Sequence, residues 1–389
     1  MSKKIINTNR VLYCFISGLV FCLISWVYLN SFYTFSVEDS FFQKTAFVKF
    51  KLGNTDLPEA NKMIFINTGK DVVLVNDTAW GQIAISDRLQ VAKLLKYINR
   101  KDIHPQYTVL DLQFFLPNSF DLSTDSLLQA VIKENKNLSI PILLDENNRC
   151  KYPLYKGDYS ISDYVTYGSN ITKFRLNYAN LGYVSTPLKI YMNVNKGKWN
   201  DHTLFWTEKS HLAMNYIWPF YYLDEKRVKE KTYNIGELLY QFEFDTTSIK
   251  KYLDGKLIFI GNFDQDQHAT PVGKMPGTLV LANLYLNLVV GQHIISYYWI
   301  GFMFLCFSIL SFFTWYFELP AIRFRYRFIF SHHFSAYLKG FASFFGIMFL
   351  ISILSVSIFG LYVNIFLPTA LLSAIYYFVH KKYQPDEQT

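Results

Sequence analysis

Cysteine is scarce in this 389-residue chain, and its four copies are poorly placed for covalent chemistry. Cys14, Cys22 and Cys306 fall inside long apolar stretches, so the polar middle of the chain holds only Cys150. That excludes an internal disulfide in the middle region and any paired-cysteine metal spacing. Also missing are a Gly-x-Ser-x-Gly elbow, a Walker loop and a His-Glu-x-x-His helix, which removes the commonest hydrolase, nucleotide-binding and metalloprotease signatures. Charge is absent altogether from three stretches, 11–37, 294–317 and 340–379. At about 20 residues per helical span, the first two each predict one transmembrane helix and the third predicts two.

What charge there is has an uneven distribution. The net +8 suggests nucleic acid only until it is divided by region. Lys3, Lys4 and Arg10 precede the first span, Arg323, Arg325, Arg327 and Lys339 lie with Glu318 between the second and third, and only +2 remains for 38–293. The basicity is therefore topological, and no nucleic-acid partner is expected. With the N-terminus in the cytoplasm every basic loop lies inside and the large segment outside. The first span carries no small-residue cleavage site behind it, so it reads as an uncleaved signal anchor. The expected address is a bacterial inner (cytoplasmic) membrane, crossed several times.

The segment that joins the two halves runs from Lys256 to His293. Leu257 to Ile260 reads as a buried strand, 263–276 as a polar loop, and Leu279 to Val290 as a helix with Leu281, Leu284, Tyr285 and Leu288 at helical spacing. Upstream, Met63–Asn67, Tyr107–Leu110 and Ile140–Leu144 predict strands. They alternate with helices after the Ser86-Asp87 cap and over Thr124–Lys133, the pattern of a mostly parallel sheet with flanking helices. Val72–Val75 reads as a hairpin or edge strand, Leu188–Met192 as a strand, and Leu212–Phe220 and Ile235–Phe242 as short helices. Ser31–Lys51 reads as a linking helix against the membrane. The predicted organisation is a cytoplasmic N-terminus and signal anchor at 1–37, an extracytoplasmic α/β domain at 38–293, and three transmembrane helices with a basic loop and short tail at 294–389.

In a parallel sheet the residues that follow strand C-termini converge on one edge, the usual ligand crevice. That edge would gather Asp111, Asp145, Asp266 and His268, a carboxylate and imidazole set able to contact a small molecule, hold a cation or move a proton. The same residue types also close turns and cap helices. Arg88 opens a helix where the dipole disfavours a cation, and is expected to pair with Asp111 or a neighbouring carboxylate. No metal, cofactor or catalytic residue is assigned. In the first span Cys14, Gly18, Cys22 and Ser25 share one small-residue face that can pack on the chain's own spans or on another subunit.

Several of these pieces, in this order, carry a resemblance. Asp87-Arg88, Val109-Leu110-Asp111, Asp125 with Leu127 and Leu128, Pro141 to Leu144, Gly255 to Gly261, Thr270-Pro271, Met275-Pro276-Gly277, Ala282-Asn283 and Gly291 together resemble the CHASE type-two domain. That is the extracytoplasmic sensory module of bacterial cyclase, histidine-kinase and Ser/Thr-kinase receptors. The family's Trp-Pro-Trp-x-Arg segment survives only as Trp80-Gly81 and Asp87-Arg88, and its acidic first strand end is reduced to Asn67. The resemblance implies a sensing or binding module that is not an enzyme. Only His380 to Thr389 follow the last span, so its output is expected to pass through a membrane or envelope protein or through self-association. The alternatives are a structural subunit of a bacterial envelope complex, or an enzyme at the sheet edge using Asp111, Asp266 and His268.

Overall fold

A computed structural model describes residues 8–31, 38, 41, 44–45, 57–77, 81–118, 121–167, 170–195, 212–217, 225–316 and 332–381. It divides into two compact units, one of 1–42, 203–214 and 294–389, the other of 43–202 and 215–293. Leu212–Ala213 belongs with the helical unit, where it pairs antiparallel with Ile294–Ile295.

The α/β unit is built on a seven-stranded sheet. Leu257–Gly261 pairs in parallel with Met63–Asn67 on one side and Tyr107–Asp111 on the other, and every residue of it is buried. A strand covered on both faces has no use for alternation, which is why it reads as an unbroken apolar run. Thr232–Asn234 flanks Met63–Asn67, Leu138–Leu144 flanks Tyr107–Asp111, and Tyr159–Ile161 follows in parallel beyond it. Only Cys150–Lys151 runs antiparallel in this sheet.

Side chains divide by strand period two. Ile64, Ile66, Leu110, Ile258 and Ile260 enter one core cluster with the helices Arg88–Ile98, Leu122–Glu134, Ile235–Phe244 and Thr246–Leu253. Phe65 and Phe259 stack at 5.6 Å on the other face. The helices Thr186–Val194 and Gly277–Val289 contact the sheet without entering that cluster, and so cover the second face. Arg88–Ile98 starts where expected, because the Asp87 side chain accepts from the Leu89 and Gln90 amides.

Three expectations are corrected. Leu188–Met192 lies in the helix Thr186–Val194, whose start is fixed by the Ser185 hydroxyl accepting from the Leu188 amide and by Pro187 in the first turn. Of the helix expected over 212–220, the described residues 212–217 instead form two short strands, Leu212–Ala213 and Tyr216–Ile217. The polar loop 263–276 is largely an antiparallel pair, Gln267–Thr270 with Gly273–Pro276, in a second sheet with Asn170–Arg175, Val165–Tyr167 and Tyr216–Ile217. The hairpin reading holds: Val72–Asp77 pairs with Gly81–Ser86. Most of the expected linking helix at 31–51 and most of the basic loop at 323–339 lie outside the described residues.

The helical unit holds Thr8–Leu29, Tyr297–Tyr316, His332–Phe359 and Phe366–Lys381. Three of these are long and apolar enough to cross a membrane, over Val11–Leu29, Tyr297–Trp315 and Gly340–Phe359. The two crossings expected of the last apolar stretch are not both matched. Its second helix has 16 residues, about 24 Å at 1.5 Å per residue, against a hydrocarbon core of about 30 Å. That length is counted over the described residues, which end at Lys381.

Between the last two helices the backbone turns at Gly360, with φ +72°, and its polar groups find partners inside the unit. The Ser352 hydroxyl donates to the Val363 carbonyl at 2.9 Å, the Glu38 carboxylate accepts from the Ile365 amide, and Asn364 accepts from the Leu367 amide at 2.9 Å. Non-helical backbone in apolar surroundings requires such partners.

The small-residue face of Thr8–Leu29 meets the chain's own second span. A Cβ added at Gly18 would lie 2.3 Å from Ser308 Oγ and 3.2 Å from the Phe304 ring, Cys14 and Ser25 are buried, and the Cys22 thiol points to the Ile300 carbonyl at 3.9 Å. Replacing Gly18 by Leu should therefore destabilise the full-length protein in lipid nanodiscs by roughly 1–3 kcal/mol, the usual cost of overpacking. Tryptophan fluorescence during thermal unfolding checks it, and an unchanged midpoint would mean the two helices do not pack through this face.

Candidate functional site

The parallel register sets Asn67, Gly261 and Asp111 level at the C-terminal ends of three adjacent strands. Each then does a different job. Asn67 Oδ1 accepts from the Gly69 amide at 2.8 Å and from the Phe263 amide at 3.0 Å, so it ties two loops of the edge together. Gly261 leaves room for Thr278, since a Cβ there would sit 2.0 Å from the Thr278 hydroxyl. That hydroxyl donates to Asp111 Oδ2 at 2.8 Å.

Past Gly261 the chain turns and returns as Gln267–Thr270, which brings Asp266 and His268 over the same edge. His268 Nε2 lies 2.9 Å from Asp266 Oδ1, and His268 Nδ1 lies 3.0 Å from the Tyr164 hydroxyl. Gly277, the first residue of the next helix, is required by this pair. Its added Cβ would come within 2.4 Å of Asp266 Oδ2 and 3.0 Å of His268 Nε2.

Asp111, Asp266, His268 and Tyr164 line one cavity of ≈ 630 Å³. Its apolar wall includes Ile85, Leu112, Phe114, Leu143, Ile171, Phe174 and Val280, and Asp163 adds a further carboxylate. Pockets of about 300–1,000 Å³ with apolar walls and a few convergent polar groups are the ordinary form of small-molecule sites. Among the described residues no three His, Cys, Asp or Glu side chains are placed to hold a metal ion, so the geometry lends no support to a cation of that kind here.

Electrostatically the site is out of balance. Burial, reinforced by the negative charge of Asp266, pushes Asp111 up to about 7 against the pull of the Thr278 hydrogen bond and of His268. Burial raises Asp163 as well. The hydrogen bond to Asp266 raises His268 and outweighs its burial, which favours the imidazolium form as donor to Asp266.

Two expected site residues sit elsewhere in the chemistry. Arg88 lines the cavity and is 1% exposed, but it does not pair with Asp111. Its guanidinium meets Asp125 Oδ1 at 2.5 Å and donates to the Leu116 carbonyl, between the rings of Phe114 and Tyr155. Asp125 also accepts from the Tyr155 hydroxyl at 2.6 Å and the Asn118 amide at 2.8 Å, which together outweigh burial and hold it below its ordinary range. This is a wall-building ion pair. Asp145 is not in the cavity. Leu138–Leu144 runs on into a turn toward Cys150–Lys151, and Asp145 closes that turn by accepting from the Asn147 and Arg149 amides.

Sequence reasoning does not single out Tyr164, Asp163 or Thr278. Only Thr278 carries a signal, as the residue that follows the Met275-Pro276-Gly277 run. Tyr164 and Asp163 come from the Tyr- and Asn-rich middle, where no period marks them.

Asp111's raised value makes stability depend on pH. The folded state keeps a proton that the unfolded chain releases above about pH 4, so stability present at pH 4 drains away as pH rises to 7. Asp111→Asn keeps an acceptor for Thr278 and removes the titration. Relative to wild type it should gain roughly 2–4 kcal/mol between pH 4 and 7.5, measured by denaturant unfolding at both pH values. Identical pH dependence in the two proteins would count against a proton-holding Asp111.

Comparison with curated proteins and with solved structures gives no significant match. A family model described as CHASE2 domain does match, over residues 22–314, which takes in every residue of the cavity and of the sheet behind it. On that match the chain belongs to the CHASE2 domain family, whose members are extracytoplasmic sensory domains.

Proposed function

We propose that the cavity at the sheet edge is the sensing site, that it binds a small molecule without turning it over, and that the signal leaves through the helical unit to a membrane partner or a second copy of the chain. The observation that carries this reading is the cavity itself: ≈ 630 Å³, apolar-walled, with Asp111, Asp266, His268 and Tyr164 converging on it. Both nitrogens of His268 are engaged, with Asp266 and Tyr164. The two serines on the cavity wall bond away from it, Ser86 to Thr68 and Ser162 to Thr186. A nucleophile with a base in reach is the usual signature of covalent catalysis, and this arrangement favours binding over turnover.

On the address, the family is extracytoplasmic and the helical unit contains helices that can span a bilayer. The basic flanks at Lys3, Lys4, Arg10 and Arg323 to Lys339 favour a multi-pass protein of a bacterial inner membrane with the cavity outside. The outward apolar residues Leu19 and Leu23 on the first helix, and Leu350, Leu354 and Ile358 on the third, face lipid or another protein's span. A ligand shifts such a protein only by binding one of its states better than the other.

Gln113 stands exposed at the rim of the cavity, so Gln113→Trp plugs the mouth and leaves the core alone. A compound library tested by thermal shift on the nanodisc protein should yield ligands that raise the midpoint by roughly 5 °C at about 100-fold over Kd. Those shifts should vanish in Gln113→Trp. If no compound saturates the protein, or if every hit still binds the plugged variant, the cavity is not the sensing site.

A further inference from the structure

The charges on the cavity wall do not cancel. Arg88 is neutralised by Asp125 at 2.5 Å, and His268 by Asp266 at 2.9 Å. That leaves Asp111 and Asp163. Asp111 Oδ2 takes the Thr278 hydroxyl, but Oδ1 has no hydrogen-bond partner among the described residues. Asp163 accepts from the Tyr178 hydroxyl at 3.3 Å, and the nearest cation acting on it, Arg175, is turned to the Asn177 carbonyl and the Tyr178 ring. Among the described residues neither carboxyl is hydrogen-bonded to a cation, and both line the cavity with the rings of Phe114, Phe115, Tyr164 and Phe174. An enclosed carboxylate without a counter-charge is costly, and a bound cation relieves that cost. Aromatic faces add attraction for the same charge.

Resting on the reading of this cavity as a ligand site, we propose that its ligand is an organic cation, an amine bearing an apolar or aromatic body, whose nitrogen is held by Asp111 and whose body lies along the aromatic wall. An anion fits badly there. The only cations in its path among the described residues already have carboxylate partners, and Asp111 Oδ1 offers an acceptor where an anion needs a donor.

The charge states predict how affinity follows pH. Between pH 5.5 and 8 Asp111 passes from carboxylic acid to carboxylate; the other titratable or charged groups that line the cavity with it are Asp163, Asp266, His268, Tyr164 and Arg88. That change makes the cavity more negative. Amine affinity therefore rises with pH across this range.

The test compares three probes of one shape and three charges, phenethylamine, phenylethanol and phenylacetate. Each is titrated by calorimetry against the full-length protein in nanodiscs of zwitterionic lipid. The amine should bind saturably and at least about tenfold more tightly than the alcohol, tighten from pH 5.5 to 8, and weaken about tenfold in Asp111→Asn, whose folding is checked by circular dichroism. Asp163→Asn should weaken it as well, which keeps the result readable if one variant misfolds. No saturable amine binding overturns the inference, as does tighter binding of phenylethanol or phenylacetate. The last outcome, if Gln113→Trp abolishes it, leaves the ligand-site reading standing while the cation is refuted.

Discussion

Parallel hydrogen bonding of Leu257–Gly261 between Met63–Asn67 and Tyr107–Asp111 is the constraint from which the site follows. The outer two strands come early in the chain, and the strand between them arrives only after the whole middle region. Until it docks, Met63–Asn67 and Tyr107–Asp111 have no shared partner. Once it docks, Asn67, Gly261 and Asp111 are level, and everything that follows Gly261 is delivered to one edge: Asp266, His268, Gly277 and Thr278. A one-residue slip would turn the Ile258 and Ile260 side chains out of their core cluster and move Thr278 off Asp111, so packing and site geometry enforce the same register.

The edge is polar because the backbone is. Three parallel strands end there, and their loops need acceptors and donors that the sheet no longer supplies. Most of the local Asp and Asn residues meet that need, as Asn67 does for Gly69 and Phe263 and as Asp145 does for its own turn. Asp111 differs because its partner is a single hydroxyl and its surroundings are apolar. Asp266 adds negative charge beside it, which His268 offsets in part. A carboxyl with its titration midpoint near neutrality lets the cavity change charge as the pH crosses that value.

Much of the α/β unit was legible in the sequence because its strands are buried on both faces and its helices are capped. Met63–Asn67, Tyr107–Asp111 and the helix after Asp87 fall where an unbroken apolar run, a strand-end aspartate and an Asp cap put them. Legibility failed where elements are short or irregular. Leu188–Met192 carries apolar residues of strand type, yet Ser185 and Pro187 start a helix there, and the apolar composition masks that capping signal. Strands of two residues, such as Tyr216–Ile217, are too short to show any period. In the cavity, the strand-end Asp111 and the Asp266 and His268 pair were visible, and Tyr164 and Asp163 were not, because only tertiary folding of the middle region brings them over the edge. Arg88 stood out as a helix-start cation, but its partner Asp125 lies on another helix and no spacing rule joins the two.

If the late strand closes the sheet and the site in one step, its amides belong to the most protected part of the unit. Hydrogen exchange followed by mass spectrometry on the nanodisc protein measures this directly. Leu257–Gly261 and Tyr107–Asp111 should exchange together, as the slowest peptides of the unit, and far more slowly than the hairpin of Val72–Asp77 and Gly81–Ser86, which stands outside the main sheet. Exchange of Leu257–Gly261 at the rate of that hairpin, or well ahead of Tyr107–Asp111, would contradict the dependence of the site on this strand.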